Sequence, residues 1–148
     1  LWTVTHNTDF AEGFIGLIGN PHAVGEAFQI TSDETLTWNQ IYKIIADALR
    51  VELKPYYVAS EFLDAVGDYD FNGSLTGDKS NSVVFDNTKL KNAVPEFKAV
   101  VRAETGIKQT VDYVLSHREC QVEDKEFDVW CDKVIEMLEK AKKDIKNE

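Results

Sequence analysis

Cysteine is scarce, with two residues in a chain of 148. Cys120 and Cys131 are too few and too far apart for a disulfide framework or a Cys-x-x-Cys metal or redox motif. Both are therefore expected to be free thiols in a reducing compartment, the cytoplasm. No apolar run reaches the ~18 residues of a membrane span, and the first residues show no basic region followed by an apolar stretch. A membrane is not an expected partner. Positive charge is in deficit: 16 Lys and Arg against 26 Asp and Glu give a net charge of -10, and no compact basic cluster reverses it except near the C-terminus. Such a chain repels phosphate backbones, which argues against nucleic acid as a partner. The motifs GxxxxGK[ST], HExxH and GxSxG are missing too, so phosphoryl transfer, zinc hydrolysis and serine hydrolysis have no support. No catalytic residue and no metal ligand is expected within these residues.

What is present suits a globular domain, since 43% hydrophobic residues and 11% aromatics supply a core. Leu1-Trp2-Thr3-Val4 is β-like and reads as the interior of something longer. Asn7, Thr8 and Asp9 are N-cap residues, and Phe10, Phe14, Leu17 and Ile18 recur at helical spacing until Gly19-Asn20-Pro21, which predicts a helix over 8–18. Residues 26–30 alternate as a strand does. Thr37-Trp38-Asn39-Gln40 has the form of a capping box, followed by an apolar face at Ile41, Ile44, Ile45, Ala48 and Leu49. Strands are expected at about 53–58 and 82–86, with Pro55 weakening the first. A short helix is expected from Ser60 to Val66, then a long polar loop from Gly67 to Lys79. Asp86 is placed to cap a turn carrying Lys89 and Leu90, and a helix is expected over 103–116. From about Val122, Phe127, Cys131, Val134, Leu138, Ala141 and Ile145 step by fours and threes, the pattern of an amphipathic helix.

Gly13-Phe14-Ile15-Gly16-Leu17-Ile18-Gly19 matches the GxxGxxG phosphate loop of short-chain dehydrogenases letter for letter. Such a loop needs an apolar strand before it and free helix amides facing the pyrophosphate. Here Asp9 and Glu12 stand in the approach. The segment is better read as a helix whose glycines allow close packing against a neighbour.

Three blocks in order carry a family resemblance. Thr5-His6-Asn7-Thr8-Asp9-Phe10-Ala11 resembles the His-x-x-Asp-x-Ala element that follows the active site in extended short-chain dehydrogenases. Gly25 to Ser32, continuing to Thr37-Trp38, is similar to their next strand, turn and helix. Gly77-Asp78-Lys79 with Val84-Phe85-Asp86-Asn87-Thr88-Lys89-Leu90 resembles their substrate loop and Asp-x-x-Lys turn, closed by Glu104-Thr105-Gly106-Ile107. The chain thus resembles the C-terminal, substrate-binding part of NAD-dependent epimerases/dehydratases, and its Gly-Asp-Lys and Phe-Asp-Asn variant is similar to uncharacterised epimerase-like reductases.

The resemblance implies an α/β fold: a helix-rich substrate-binding part over 1–118 with a few short strands and no complete Rossmann domain, and a C-terminal amphipathic helix over 119–148 packed on the same domain. It implies a parent enzyme that uses NAD or NADP on an upstream Rossmann domain, while this chain by itself binds no cofactor and catalyses nothing. No tyrosine is followed four places later by lysine, so the family's proton-moving pair is absent from these residues. The implied ligand is a nucleotide-sugar-like small molecule. Its binding residues are expected to be Asp78, accepting from a hydroxyl, and Lys79, facing a diphosphate, with His6 and Trp38 as further candidates. Taken singly, each also reads as an ordinary loop charge, cap or core aromatic. Lys89 is expected to pair with Asp86 or a helix end. The rival reading is a non-enzymatic acidic interaction module whose terminal helix binds a partner chain, a second copy in a homodimer included.

Overall fold

The computed structural model describes residues 1–147. Six α-helices follow one another: α1 (Asn7–Leu17), α2 (Trp38–Leu49), α3 (Ser60–Val66), α4 (Thr88–Ala93), α5 (Ala103–Ser116) and α6 (Lys125–Lys146). Asn72–Asp78 forms a π-helical turn inside the segment expected to be an unstructured loop. Helix takes 59% of the chain and strand 1%, so the expected α/β architecture is corrected to an all-α one.

None of 26–30, 53–58 and 82–86 forms a strand. Among the described residues the only β-type pairing is one antiparallel bridge, Trp2 with Leu36, closed by N–H···O bonds of 2.7 and 2.8 Å. The reason lies in what satisfies these segments. A strand exists only where a second segment supplies the opposite half of a ladder. Phe28 and Ile30 pack on a core of Leu90, Val94 and Phe97, which keeps the period-two burial of a strand. Their neighbours' polar groups are met by side chains: Lys89 Nζ donates to Ala27 O (3.0 Å), and the Thr31 amide donates to Asn87 Oδ1 (3.3 Å). Val83 and Phe85 likewise face inward while Val84 stays exposed. Alternation alone therefore built a docked extended segment without a sheet.

The helices start where their caps stand. Thr37 Oγ1 accepts from the Gln40 amide at 3.2 Å and Gln40 Oε1 accepts from the Thr37 amide at 2.8 Å, so the capping box of α2 is complete. Asp86, expected to cap α4, lies one residue before its N-cap Asn87, and its Oδ1 accepts from the Thr88 amide at 2.8 Å. Asp124 Oδ1 accepts from the Phe127 amide at 3.0 Å and opens α6. Arg50 ends α2 in the left-handed region, φ 59° and ψ 38°, where a side chain is strained and glycine is not.

The chain divides into two compact units. Unit 1 joins Leu1–Leu53 with Asn81–Ser116. In it α2 packs on α5, and α1 lies on the Leu90, Val94 and Phe97 core through its glycine face. Gly13 is buried, and a Cβ there would lie 2.8 Å from Ile30 Cγ2 and 3.1 Å from Phe97 Cε2. The two glycines of the GxxG pattern are thus inside a helix, at a close approach. As a result the apolar stripe of α1 faces outward: Phe10 is 48%, Phe14 52%, Ile15 65% and Ile18 66% exposed.

Unit 2 joins Lys54–Ser80 with the chain from His117 on. Its centre is an aromatic cluster in which Tyr69 meets Phe127 edge-on at 5.0 Å and Trp130 at 5.5 Å, while Phe71 stacks on Trp130 at 5.3 Å. Trp130 Nε1 donates to Val66 O at 3.2 Å, and a Cβ on Gly67 would press on the Trp130 ring at 2.9 Å. The cluster's desolvation, with Asp124 and Glu126 adding negative charge, pushes the Tyr69 phenol above its usual range.

Candidate functional site

One concavity in unit 1 lies between the segment entering α1 and the first three turns of α5. It holds about 470 Å³ and is lined by Thr5, His6, Asn7, Arg102, Gln109 and Tyr113 over a floor that includes Gly106 and Ile107. His6 reaches it because it is the N-cap of α1: its Nδ1 accepts from the Thr8 amide at 3.4 Å and sits 2.7 Å from Thr8 Oγ1. That leaves the other edge of the ring against α5. A Cβ on Gly106 would stand 3.1 Å from His6 Cδ2, so the glycine makes room for the imidazole.

Asp9, the acidic residue of the His-x-x-Asp element, is a tie and not a ligand residue. It is 1% exposed, and its Oδ2 accepts from the Val101 amide at 3.0 Å, fixing α1 to the segment before α5. Its Oδ1 is buried with no hydrogen-bond partner. Glu34, outside the concavity, holds the start of α5: Oε2 accepts from the Ala103 amide at 2.6 Å and Oε1 from Arg102 Nη2 at 2.8 Å. The free amide that opens α5 is therefore already filled by a carboxylate of the chain itself.

The remaining candidates lie elsewhere. Trp38, the first residue of α2, stacks on Trp2 at 5.6 Å and tilts against Tyr42 at 6.2 Å, half-buried and outside the His6 cleft. Asp78 and Lys79 belong to unit 2, where Lys79 Nζ donates to Asp78 Oδ2 at 3.1 Å and to Ser74 O at 3.3 Å. In this state cation and carboxylate serve each other. Asp64 and Asp70 accept from the Asn72 and Gly73 amides at 3.0 and 2.8 Å, so the same turn already carries two internal anions.

The expected pairing of Lys89 is corrected. Its Nζ donates to Glu26 Oε2 at 2.6 Å and lies 4.8 Å above the Phe28 ring, which holds the Glu26 carboxyl below the usual range, while Asp86 turns to Thr88. Asn87 beside it is 3% exposed and joins α4 to the 31–33 segment, donating to Thr31 O at 2.7 Å and Asp33 Oδ1 at 3.0 Å. Lys91 and then Asn87 hold the Asp33 carboxyl below its ordinary value.

No family model, curated protein or solved structure matches this chain. Among the described residues no group of three or more His, Cys, Asp or Glu is placed to hold a metal ion, and no helix is long and apolar enough to cross a membrane. Arg102, Gln109 and Tyr113 were missed by sequence reasoning because they lie about a hundred positions from His6. The signal that pointed toward them was Gly106, a helix-interior glycine that cost helix propensity without a local reason.

Proposed function

We propose that the chain is the substrate-binding part of an NAD(P)-dependent nucleotide-sugar epimerase/dehydratase or a related reductase, inactive alone. Hydride carrier and proton-moving pair then belong to an upstream Rossmann domain of the parent protein. The supporting observation is the outward apolar face of α1. Phe10, Phe14, Leu17 and Ile18 line one side of an apolar groove of about 420 Å³, and Phe28 and Ile30 line the other. Apolar contiguity of this kind marks a surface meant to be covered. Beside it runs 26–30, strand-patterned and without a ladder. A neighbouring layer would cover the apolar face, which a free-standing domain leaves in water. In this reading unit 1 supplies the attachment, and the Asp78 and Lys79 charges separate when a ligand diphosphate and hydroxyl replace them.

The coding sequence immediately upstream of Leu1 is the test. The expected outcome is a strand–GxxGxxG–helix and, further on, a Tyr-x-x-x-Lys pair. An upstream sequence with neither, or turnover of a nicotinamide-dependent reaction by the purified 148-residue chain, overturns the proposal. The rival reading as a partner-binding module gains less from the geometry, since Phe127 and Trp130 of α6 are engaged by Tyr69 and Phe71.

A further inference from the structure

The His6 cleft stands out electrostatically. The chain carries 26 acidic against 16 basic side chains, yet no carboxylate is among the residues that line this concavity, while Arg102 and His6 both are. Two donors there are unspent. With Nδ1 of His6 accepting from the Thr8 amide, the neutral ring is assigned the tautomer that carries its proton on Nε2, and Nε2 bonds to no other described residue. Arg102 is 77% exposed and gives one nitrogen to Glu34, leaving the rest of its five-donor fork open. The floor beneath is apolar backbone and side chain, Gly106 and Ile107, with Tyr113 as a wall. The volume, about 470 Å³, lies in the range of roughly 300–1,000 Å³ typical of small-molecule sites.

We propose that this cleft binds a small molecule through an oxyanion group, a carboxylate or a phosphate, recognised by His6 Nε2–H and the Arg102 guanidinium. The inference goes beyond the enzymatic reading and does not depend on it. Arginine matches the two oxygens of such a group in plane, and the imidazole N–H adds a directed third donor. Glu34 positions the guanidinium from outside the cleft and partly neutralises it, so binding by a bare anion is weak and gains from the apolar floor under the ligand's body.

The test is a titration of the intact, isotope-labelled chain at fixed pH and ionic strength, following the His6 ring and Gly106 amide signals by NMR. The probes are inorganic phosphate, citrate and glucose. The expected result is a saturable shift with phosphate or citrate, whichever is tighter naming the source, and none with glucose. Arg102→Gln should weaken binding about tenfold, the scale of one charge-assisted hydrogen bond. Gly106→Ala, which crowds His6, should weaken it as well. Lys98→Gln, a change to an exposed lysine outside the cleft, should leave it unaltered. Absence of saturation with both oxyanions, equal shifts in Arg102→Gln and the parent chain, or saturation by glucose alone would each overturn the assignment. Loss of the native spectrum in any variant is excluded by recording its amide map first, and Arg102, being exposed, is the variant least able to unfold the domain.

Discussion

Replacing Gly16 by alanine sets two effects of known sign against each other. In a helix interior alanine is favoured over glycine by about 1 kcal/mol, so at an open position the change stabilises. At Gly16 the new Cβ meets Val94: it would overlap Cγ1 and stand 3.1 Å from Cγ2 and 3.3 Å from Cβ. Val94 is 2% exposed and held among Leu90 and Phe97, so it has little room to yield. Overpacking of this kind costs roughly 1–3 kcal/mol, which exceeds the propensity gain over most of that range. The net expectation is a loss of up to about 2 kcal/mol, read as a lower urea midpoint at unchanged slope. The decisive arm is the same change in a Val94→Ala background. There both γ-methyls are gone and only the contact with the residue 94 Cβ remains, so the helix preference dominates and Gly16→Ala should stabilise, by up to about 1 kcal/mol. A Gly16→Ala that stabilises equally in both backgrounds would refute the claim that this glycine serves close packing of α1.

Two further changes follow from the caps and charges. Arg50→Gly should raise the melting temperature, by an amount equivalent to about 0.5–1 kcal/mol, because it relieves a left-handed conformation at φ 59° while keeping the hydrogen bonds its amide donates to the Ala46 and Asp47 carbonyls. An unchanged or lower value would mean the arginine side chain contributes more than its backbone costs. The Asp33 carboxyl, depressed from its ordinary 3.8 chiefly by Lys91, contributes stability that is present above that value and lost as pH falls through the folded-state one. Urea midpoints at about pH 6 and about pH 2.5 should therefore differ less in Lys91→Met than in the parent chain, and an identical pH dependence would sink the assignment.

Local chemistry was legible in the sequence. Thr37 and Gln40, three positions apart, formed the capping box their spacing demands, and α5 spans the residues its pattern marks. What failed was non-local. The period-two pattern at 26–30 is as good as that of many strands, but pattern selects a face and cannot supply the partner that makes a ladder. Asn87 and Lys89, 54 to 63 positions away from the groups they bind, took that role with side-chain bonds instead. The long loop was foreseen as irregular, yet Asp64 and Asp70 fold its middle into a π-helical turn by accepting from the Asn72 and Gly73 amides. Of the candidate site, His6 was visible as a residue, while its cleft was not, since the other wall is α5.

The orientation of α1 connects these outcomes. This one helix presents three different chemistries. Its start carries His6 into the polar cleft, its glycine edge is pressed on Ile30, Phe97 and Val94, and its aromatic edge is left to solvent. The glycines decide which edge goes inward: with side chains at 13 and 16 the helix could not approach the core, and rotating it to bury Phe10 and Phe14 would pull Asp9 from the Val101 amide and His6 from the cleft. The outward aromatics are therefore a consequence of holding His6 in place, and the two proposals separate cleanly. A phosphate or citrate signal at His6 with no upstream Rossmann sequence leaves a ligand-binding domain of another kind. An upstream Rossmann sequence with a silent cleft leaves an enzyme whose substrate is held by the Asp78 and Lys79 turn instead.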